Sequence, residues 1–519
     1  MKKLNRISEW LVVACAGMYY LLLSLYKLLE AALWGDEVVE YYCALFTTGA
    51  IPGITEAATM YARNLEMQQQ PPLYSLALGL WVLISNSEFW IRFSSVAFCF
   101  GAVAALYLIM RKLTNRWFAA LSVILFSSMY QVQYYVKEAA EYALLLPLIF
   151  WTIYCFICIL EKITAKRILA FTLLCVASIY TQYGAAFIIV PMALQVLYHC
   201  FRSKEKKLVG TALGAYLGAA VVGGIPLIIL FLIPQSANPV STFREETVLE
   251  FEKNIVYDFF LGFTRLLDWQ LLNYDRDGAR MMPLMWLLAA AFILSGIWLV
   301  IKKVDRVLSN LLFTCLLTYI LYYICVKLKI YSYGWFGLRY CLFFLPLILT
   351  VMLYMLWIIL RELSGRMGKK AFAVLKEAVL LIVLAYCCYG VYRVHNHWWK
   401  SDERAVVSYW YDHNCKEELT FVDYKQRITF TYYLEQNKEF DSSYWDNLYV
   451  NMNMESTQYT VEEWEEYLVN EVWGEGMPDR LYISTGYYNN LIIAMESLGY
   501  QAETALSTTT DFYYLTRQQ

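Results

Sequence analysis

The chain has 519 residues, 60% of them apolar and 17% charged, with a formal net charge of −2. Soluble domains run nearer half apolar and a quarter charged, whereas apolar runs recur here from residue 10 to residue 392. That excludes a soluble globular protein. The lack of a basic domain or zinc-ligand spacing excludes a nucleic-acid partner. What remains is a polytopic α-helical membrane protein.

The chain opens on the basic stretch "MKKLNRISEW" and continues into an apolar run. A secretory signal has a shorter apolar core, of about 7–15 residues, so residues 10–33 read as an uncleaved first span. Next comes "WGDEVVEYYCALFTTG", residues 34–49, with two adjacent carboxylates, Asp36 and Glu37, where that span ends. Further spans are expected near 91–110, 117–135, 142–160, 168–182, 184–200, 209–233, 283–302, 308–328, 339–360 and 372–392. The piece "PPLYSLALGLWVLIS" (71–85) is too short to cross a core of about 30 Å.

Charge assigns the sides. Basic clusters recur in "MKKLNR", "RKLTNR" (111–116), "EKITAKR" (161–167), "RSKEKK" (202–207), "KKVDR" (302–306) and "RELSGRMGKK" (361–370). The positive-inside rule sets all of them in the cytoplasm. That works if 71–85 lies in the interface as a juxtamembrane helix of the first external loop (31–90). The count is then about eleven spans, with the N-terminus inside and the C-terminus outside. A second large external loop spans 234–282. From residue 401 to 519 there are 21 Asp and Glu against 7 Lys and Arg. The runs "LTFVDY", "ITFTYYL", "RLYISTG" and "DFYYLTR" read as strands; "TVEEWEEYLVNEVW" and "NNLIIAMESLGY" read as helices. Residues 396–519 are therefore expected to form a small extracytoplasmic α/β domain, after a membrane domain over 1–395. Most of the cysteines sit in apolar runs and imply no disulfide framework.

The external edges carry the residues that could do chemistry. Asp36 has two readings: a cap for the helix of "EVVEYYCALF", with Glu37 and Glu40 in its first turn, or a general base beside a low-dielectric wall. Pro71 and Pro72, after Gln70 and before Tyr74, start a helix. Arg92, at the entrance of a span, reads either as snorkelling to headgroups or as a phosphate ligand. Lys137, Glu138 and Glu141 in "QYYVKEAAEYALL" and Arg339 and Tyr340 in "GWFGLRYCLFFLPL" repeat the theme. Charges at span ends are ordinary. Three cationic membrane-edge sites opposite a carboxylate pair point to a pocket for an anionic lipid headgroup. The "HNH" at 395–397 offers two histidines without a third ligand, so no metal is expected.

The ordered set of motifs resembles the GT-C type membrane glycosyltransferases, family 39. That branch holds the protein O-mannosyltransferases, the lipid A aminoarabinose transferases and the bacterial relatives of the lipopolysaccharide galacturonosyltransferases. "GDEVVEYYCALFTTG" is similar to the family's Asp-Glu motif, "QQPPLYSLALGLW" to its Pro-Pro-Leu-Tyr helix and "SEFWIRFSSVAFCFGAVAALYLIMRKL" to its Arg-led second span. "YYVKEAAEYALL" is similar to the Glu-Ala-Arg-x-Tyr segment with Tyr142, and "GLRYCLFFLPL" to the late Arg-Tyr…Pro motif. There are departures. Gln70 stands where Lys or His is common before Pro-Pro, and Ala140 stands where the arginine falls. Lys137, one turn earlier, shares the face of Ala140.

The resemblance implies a GT-C fold in the cytoplasmic membrane of a bacterium, with no obligatory cofactor. It implies a polyprenyl-phosphate sugar as donor and an envelope acceptor, whether lipid, protein or polymer. Asp36 would deprotonate or polarise the acceptor, and Glu37 would orient it or bind sugar hydroxyls. Arg92, Lys137 and Arg339 would hold the donor phosphate, with Gln70, Tyr74, Glu138, Tyr142 and Tyr340 around the substrate. Two rival classes stay open. A transporter or lipid flippase predicts internal repeats and charges at span centres. A non-catalytic scaffold would present the acidic tail.

Overall fold

In the computed structural model the described residues are 2–48, 70–236, 278–328, 330–331, 339–396, 402–437, 441–453, 456, 459–474, 476–486, 490–508 and 510–518. They fall into two compact units. One comprises Met1–Tyr26 with Asn64–Asn396; the other comprises Lys27–Arg63 with His397–Gln519. Parts of both long loops, 49–69 and 237–277, lie outside the described residues, as does 332–338 before Arg339.

The apolar segments read from the sequence are largely helical, but the first helix stops at Leu25, short of the expected end at 33, and residues 26–31 form turns and bends. The first unit holds α1 (Lys2–Leu25), and the second holds α2 (Gly35–Thr48). The first unit continues with α3 (Leu73–Val82), α4 (Glu88–Leu113), α5 (Arg116–Ser128), α6 (Tyr130–Val136), α7 (Tyr142–Glu161) and α8 (Ala165–Thr181). It ends with α9 (Tyr183–Arg202), α10 (Lys206–Gln235), α11 (Gly278–Ile301), α12 (Arg306–Lys327), α13 (Cys341–Arg366) and α14 (Lys369–Asn396). Among the described residues, seven of these helices are long and apolar enough to cross a membrane. α3, at 10 residues, is about 15 Å long, half of a bilayer core.

Polar caps set the starts. Ser87 accepts from the Trp90 N–H, Asn115 from Trp117 and Phe118, Thr164 from Arg167 and Asp305 from Leu308. Each satisfies a first-turn donor that would otherwise be orphaned. The expected span 117–135 is broken at Met129, which is extended at φ −63°, ψ 122°. The Gln133 amide donates to the Ser127 carbonyl at 2.8 Å across the break, as apolar surroundings require.

Contacts define two ends of the helical unit. At one end Arg111 pairs with Glu9 at 2.7 Å, Lys112 with Glu161 at 2.6 Å, and His199 meets Asn310 and Arg306 at 3.0 and 3.1 Å. This is the end of the basic clusters. At the opposite end Tyr26 meets His395 at 2.6 Å and Gln182 meets Glu141 at 3.5 Å.

The C-terminal unit contains α15 (Glu403–Asp412), β1 (Leu419–Val422), α16 (Arg427–Gln436), β2 (Leu448–Val450), α17 (Val461–Tyr467), β3 (Arg480–Thr485), α18 (Asn490–Ser497), β4 (Tyr500–Ser507) and β5 (Asp511–Arg517). The sheet order is β2-β1-β3-β5-β4. β1 runs parallel to β2 and β3, and β5 runs antiparallel to β3 and β4. Phe421, Trp464, Leu481, Ile483, Leu491 and Leu515 form its core.

One expected strand is a helix. "ITFTYYL" looks like a strand because it is β-branched and aromatic, yet it lies in α16. Parallel β1 and β2 need a crossover, most often a helix, and a hairpin cannot supply one. In α16 Thr429, Phe430, Thr431, Tyr432, Tyr433 and Leu434 are all buried. Burial on every side removes the polar stripe that would have marked a helix. β4 carries mostly polar, half-exposed residues and gave no strand signal.

Candidate active site

The predicted residues of the helical unit gather at the end opposite the basic clusters. α3 is pinned onto the start of α4 by two tryptophans. The Trp81 and Trp90 rings stack at 4.7 Å, and each indole N–H donates to the other's backbone carbonyl, at 2.9 and 3.0 Å. This orients Tyr74, buried on α3, and Arg92, on the second turn of α4.

The Arg92 side chain is fully buried, with the Glu88 carboxylate 3.7 Å away one turn earlier. Snorkelling is thereby excluded: the guanidinium lies inside the protein. A buried guanidinium is retained only where anions or acceptors surround it.

Lys137 closes α6 and is also fully buried. Its Nζ donates to the Tyr26 carbonyl at 2.5 Å and lies 5.9 Å from the Tyr26 ring centre. Glu138 and Glu141 follow, both buried. Tyr142 begins α7, and its ring lies 4.8 Å from that of Tyr135.

Gln70 enters by its backbone. Its carbonyl accepts from Gln235 Nε2 at 3.0 Å, and Gln235 Oε1 accepts the Tyr183 hydroxyl at 2.8 Å. Gly184, next in line, explains the "TQYG" turn. A Cβ there would stand 2.7 Å from the Phe343 ring and 2.6 Å from the Tyr331 hydroxyl. The close approach lets the Arg339–Phe344 turn pack over it. Arg339 and Tyr340 belong to that turn by backbone; their side chains lie outside the described residues. Sequence reasoning missed Tyr26, Gln182 and Gln235. They are neutral residues at helix ends and give no charge signal.

Asp36 and Glu37 belong to the second unit. The Trp34 carbonyl accepts the first helical bond, from the Val38 N–H at 3.1 Å, so Trp34 is the cap. Asp36 sits inside the first turn and is half-buried. The capping role read for Asp36 therefore passes to Glu37. Its Oε2 accepts the Trp34 N–H at 3.2 Å, and the side chain is fully buried. A third-position Glu reaching back to the cap is half of a capping box.

α2 packs on α16 through tyrosines. The Tyr432 ring stands edge-on to Tyr41 and Tyr42, at 5.8 and 6.3 Å. Such pairs contribute about 0.5–1.5 kcal/mol each beyond burial. The Tyr433 hydroxyl accepts the Leu33 N–H at 2.6 Å. Burial, and then the neighbouring Glu435, holds the Tyr42 phenol well above its usual pKa. Nothing in the sequence announced this pairing.

Residues 69–230 match the family model of the dolichyl-phosphate-mannose-protein mannosyltransferases. That stretch holds Gln70, Tyr74, Arg92, Lys137, Glu138 and Tyr142; Asp36, Glu37, Arg339 and Tyr340 lie outside it. No curated protein matches the sequence. Among solved structures, the apo oligosaccharyltransferase of Archaeoglobus fulgidus aligns with a TM-score of 0.55. The alignment covers 98% of this chain and 74% of that one, at 10% identity. The complex of that enzyme with Zn and sulfate gives 0.52 over 98% and 73%, at 12% identity. Apo ArnT of Cupriavidus metallidurans gives 0.50 over 99% and 98%, at 11% identity. Likeness at this identity is likeness of fold, and the fold is GT-C.

Proposed function

We propose that the chain is a glycosyltransferase that moves a sugar from a polyprenyl-phosphate donor to an envelope acceptor, with inversion, at the outer face of a bacterial cytoplasmic membrane. One observation carries this reading. The buried cations Arg92 and Lys137 stand at the same end of the helical unit as the Gln70–Gln235–Tyr183 chain. Most of these residues lie in the stretch that matches a family described by a dolichyl-phosphate sugar.

In this mechanism an acceptor hydroxyl or amine attacks the anomeric carbon from the face opposite the phosphate. The bond from that carbon to the phosphate oxygen breaks, so a single displacement inverts the centre. Asp36 takes the acceptor proton. Arg92 and Lys137, with Arg339, offset the charge growing on the leaving phosphate; fixed charges in a dry site do this without reorganisation. Glu37 keeps Asp36 in register through the cap at Trp34. Tyr74, Glu138, Tyr142 and Tyr340 surround the sugar. The basic clusters at the other end of the unit support a cytoplasmic N-terminus and an external C-terminal unit.

Binding of dolichyl phosphate tests the reading without knowledge of the sugar. The full chain in nanodiscs should bind it saturably, and Arg92→Gln should weaken binding at least about tenfold, the loss of one charge-assisted contact. A wild-type chain with no saturable binding would sink the proposal and favour the scaffold.

A further inference from the structure

We infer that the C-terminal α/β unit is the mount of the first-loop helix, and that Tyr433 is a positioning residue for Asp36. The inference rests on the proposed role of Asp36 for its catalytic meaning, though not for its structural content.

Lys27–Arg63 and His397–Gln519 cluster as one compact unit. The described first-loop residues are held there at three levels. Arg404 on α15 donates to the Leu29 and Glu30 carbonyls, at 3.0 and 3.4 Å. Tyr433 on α16 takes the Leu33 N–H, three residues before Asp36, in a buried bond that joins positions 400 apart in sequence. Tyr432 packs its edge against Tyr41 and Tyr42, one to two turns beyond Asp36. Asp36 is thus bracketed on both sides by contacts with α16.

The chemistry of the pair at Leu33 explains the choice of residue. Leu33 is fully buried and lies just ahead of the Trp34 cap. Its N–H is not part of the α2 ladder and needs an acceptor. A phenol reaches it from a neighbouring helix; a phenylalanine would fill the same space and leave that donor orphaned. The axis and height of the first turn of α2 follow from where Tyr433 stands. A displacement near 1 Å in a reacting group costs up to about 10²-fold in rate.

Hydrogen exchange on the full chain in detergent decides the matter. In Tyr433→Phe the amides of residues 33–38 should exchange faster while those of β1, β3 and β5 stay protected. Arg404→Gln, at a half-buried site, should raise exchange at residues 29–33 in the same way. Unchanged exchange at 29–38 in both variants overturns the inference, as does loss of protection across the whole sheet in both. Release of dolichyl phosphate from dolichyl-phosphate mannose, with water taking the sugar, supplies the catalytic reading. Tyr433→Phe should lower kcat by up to about 10²-fold at unchanged KM. In an Asp36→Asn background it should lower kcat no further, which a general structural defect would not reproduce. Raised exchange in variants whose kcat matches wild type overturns the positioning role. If instead Asp36→Asn is itself fully active, the proposed function fails, while raised exchange at 33–38 still sustains the mount.

Discussion

Glu37 Oε2 lies 3.2 Å from the Trp34 N–H, which ties the second carboxylate of the first-loop pair to the start of its own helix. The pair is therefore divided in role. Gln also serves at the third helical position of a capping box. Glu37→Gln should keep the cap and cost little activity. Glu37→Ala should destabilise the turn by about 0.5–2 kcal/mol and loosen Asp36 with it. Exchange rates at residues 34–38, set beside turnover, check this. A Gln variant as impaired as the Ala variant would mean that the charge of Glu37 acts on substrate.

Asp36→Asn carries the opposite expectation. Trp34 is the cap and Glu37 accepts its N–H, while Asp36 stands in the first turn of the helix. As a first-turn carboxylate it adds about 0.3–1 kcal/mol through the helix dipole, and Asn keeps its shape. As a general base its loss should cost about 10²–10⁴-fold in transfer. Donor binding should survive, since the proposed phosphate contacts belong to Arg92 and Lys137. Near-normal turnover would return Asp36 to a purely helical role.

Gly390 on α14 tests the helical unit. A Cβ there would stand 1.9 Å from the Ser128 carbonyl oxygen, where α5 ends. Backbone cannot yield cheaply, so Gly390→Ala should destabilise by about 1–3 kcal/mol. It should also disturb Arg393, whose guanidinium lies 4.8 Å over the Tyr130 ring. Gly368, with nothing within 4 Å of its Cβ position, is the control, and Gly368→Ala should leave the melting temperature nearly unchanged.

Asp423, just after β1, gives the C-terminal unit a pH dependence. It is buried, accepts the Tyr424 N–H at 2.6 Å and accepts the Thr485 hydroxyl at 3.2 Å. Burial raises its pKa, against those hydrogen bonds and against Lys425 and Arg427. A carboxyl with a raised native pKa contributes stability that is present in full below its unfolded value of about 3.9. That contribution is lost as pH rises through the higher native value. Asp423→Asn cannot ionise. Its stability relative to wild type should therefore grow as pH rises from about 4 to neutrality. Protection factors of β1 and β3 amides at the two pH values read this directly. A gap that shrinks with rising pH would contradict the sign.

What the sequence told, and what it withheld, divides by the range of the interaction. Apolar runs with basic ends predicted most helices of the membrane unit, because lipid exposure and intrahelical hydrogen bonds are local requirements; the break at Met129 carried no such signal. Arg92 and Lys137 stood out because a charge beside an apolar run is conspicuous. Gln235, which holds Gln70, did not, since a neutral amide at a helix end looks like any loop residue. "ITFTYYL" misled because its burial on all sides erased the period that distinguishes helix from strand. The bond from Leu33 to Tyr433 was beyond reach. It depends on two segments separated by the whole helical unit, and each alone reads as ordinary.

That separation has a consequence for biogenesis. The two partners lie 400 residues apart, and a ribosome adds about 5–20 residues per second. Residues 33–45 therefore wait about 20–80 s after their own synthesis before α16 exists to receive them. Through that interval Tyr41 and Tyr42 of α2 lack the Tyr432 ring that packs on them in the finished chain. The bond from Leu33 to Tyr433 forms only once the chain is nearly complete, whereas the local tie of Glu37 to Trp34 needs no later segment. A chain ending at residue 425 should leave residues 33–45 open to protease while its helical unit stays intact.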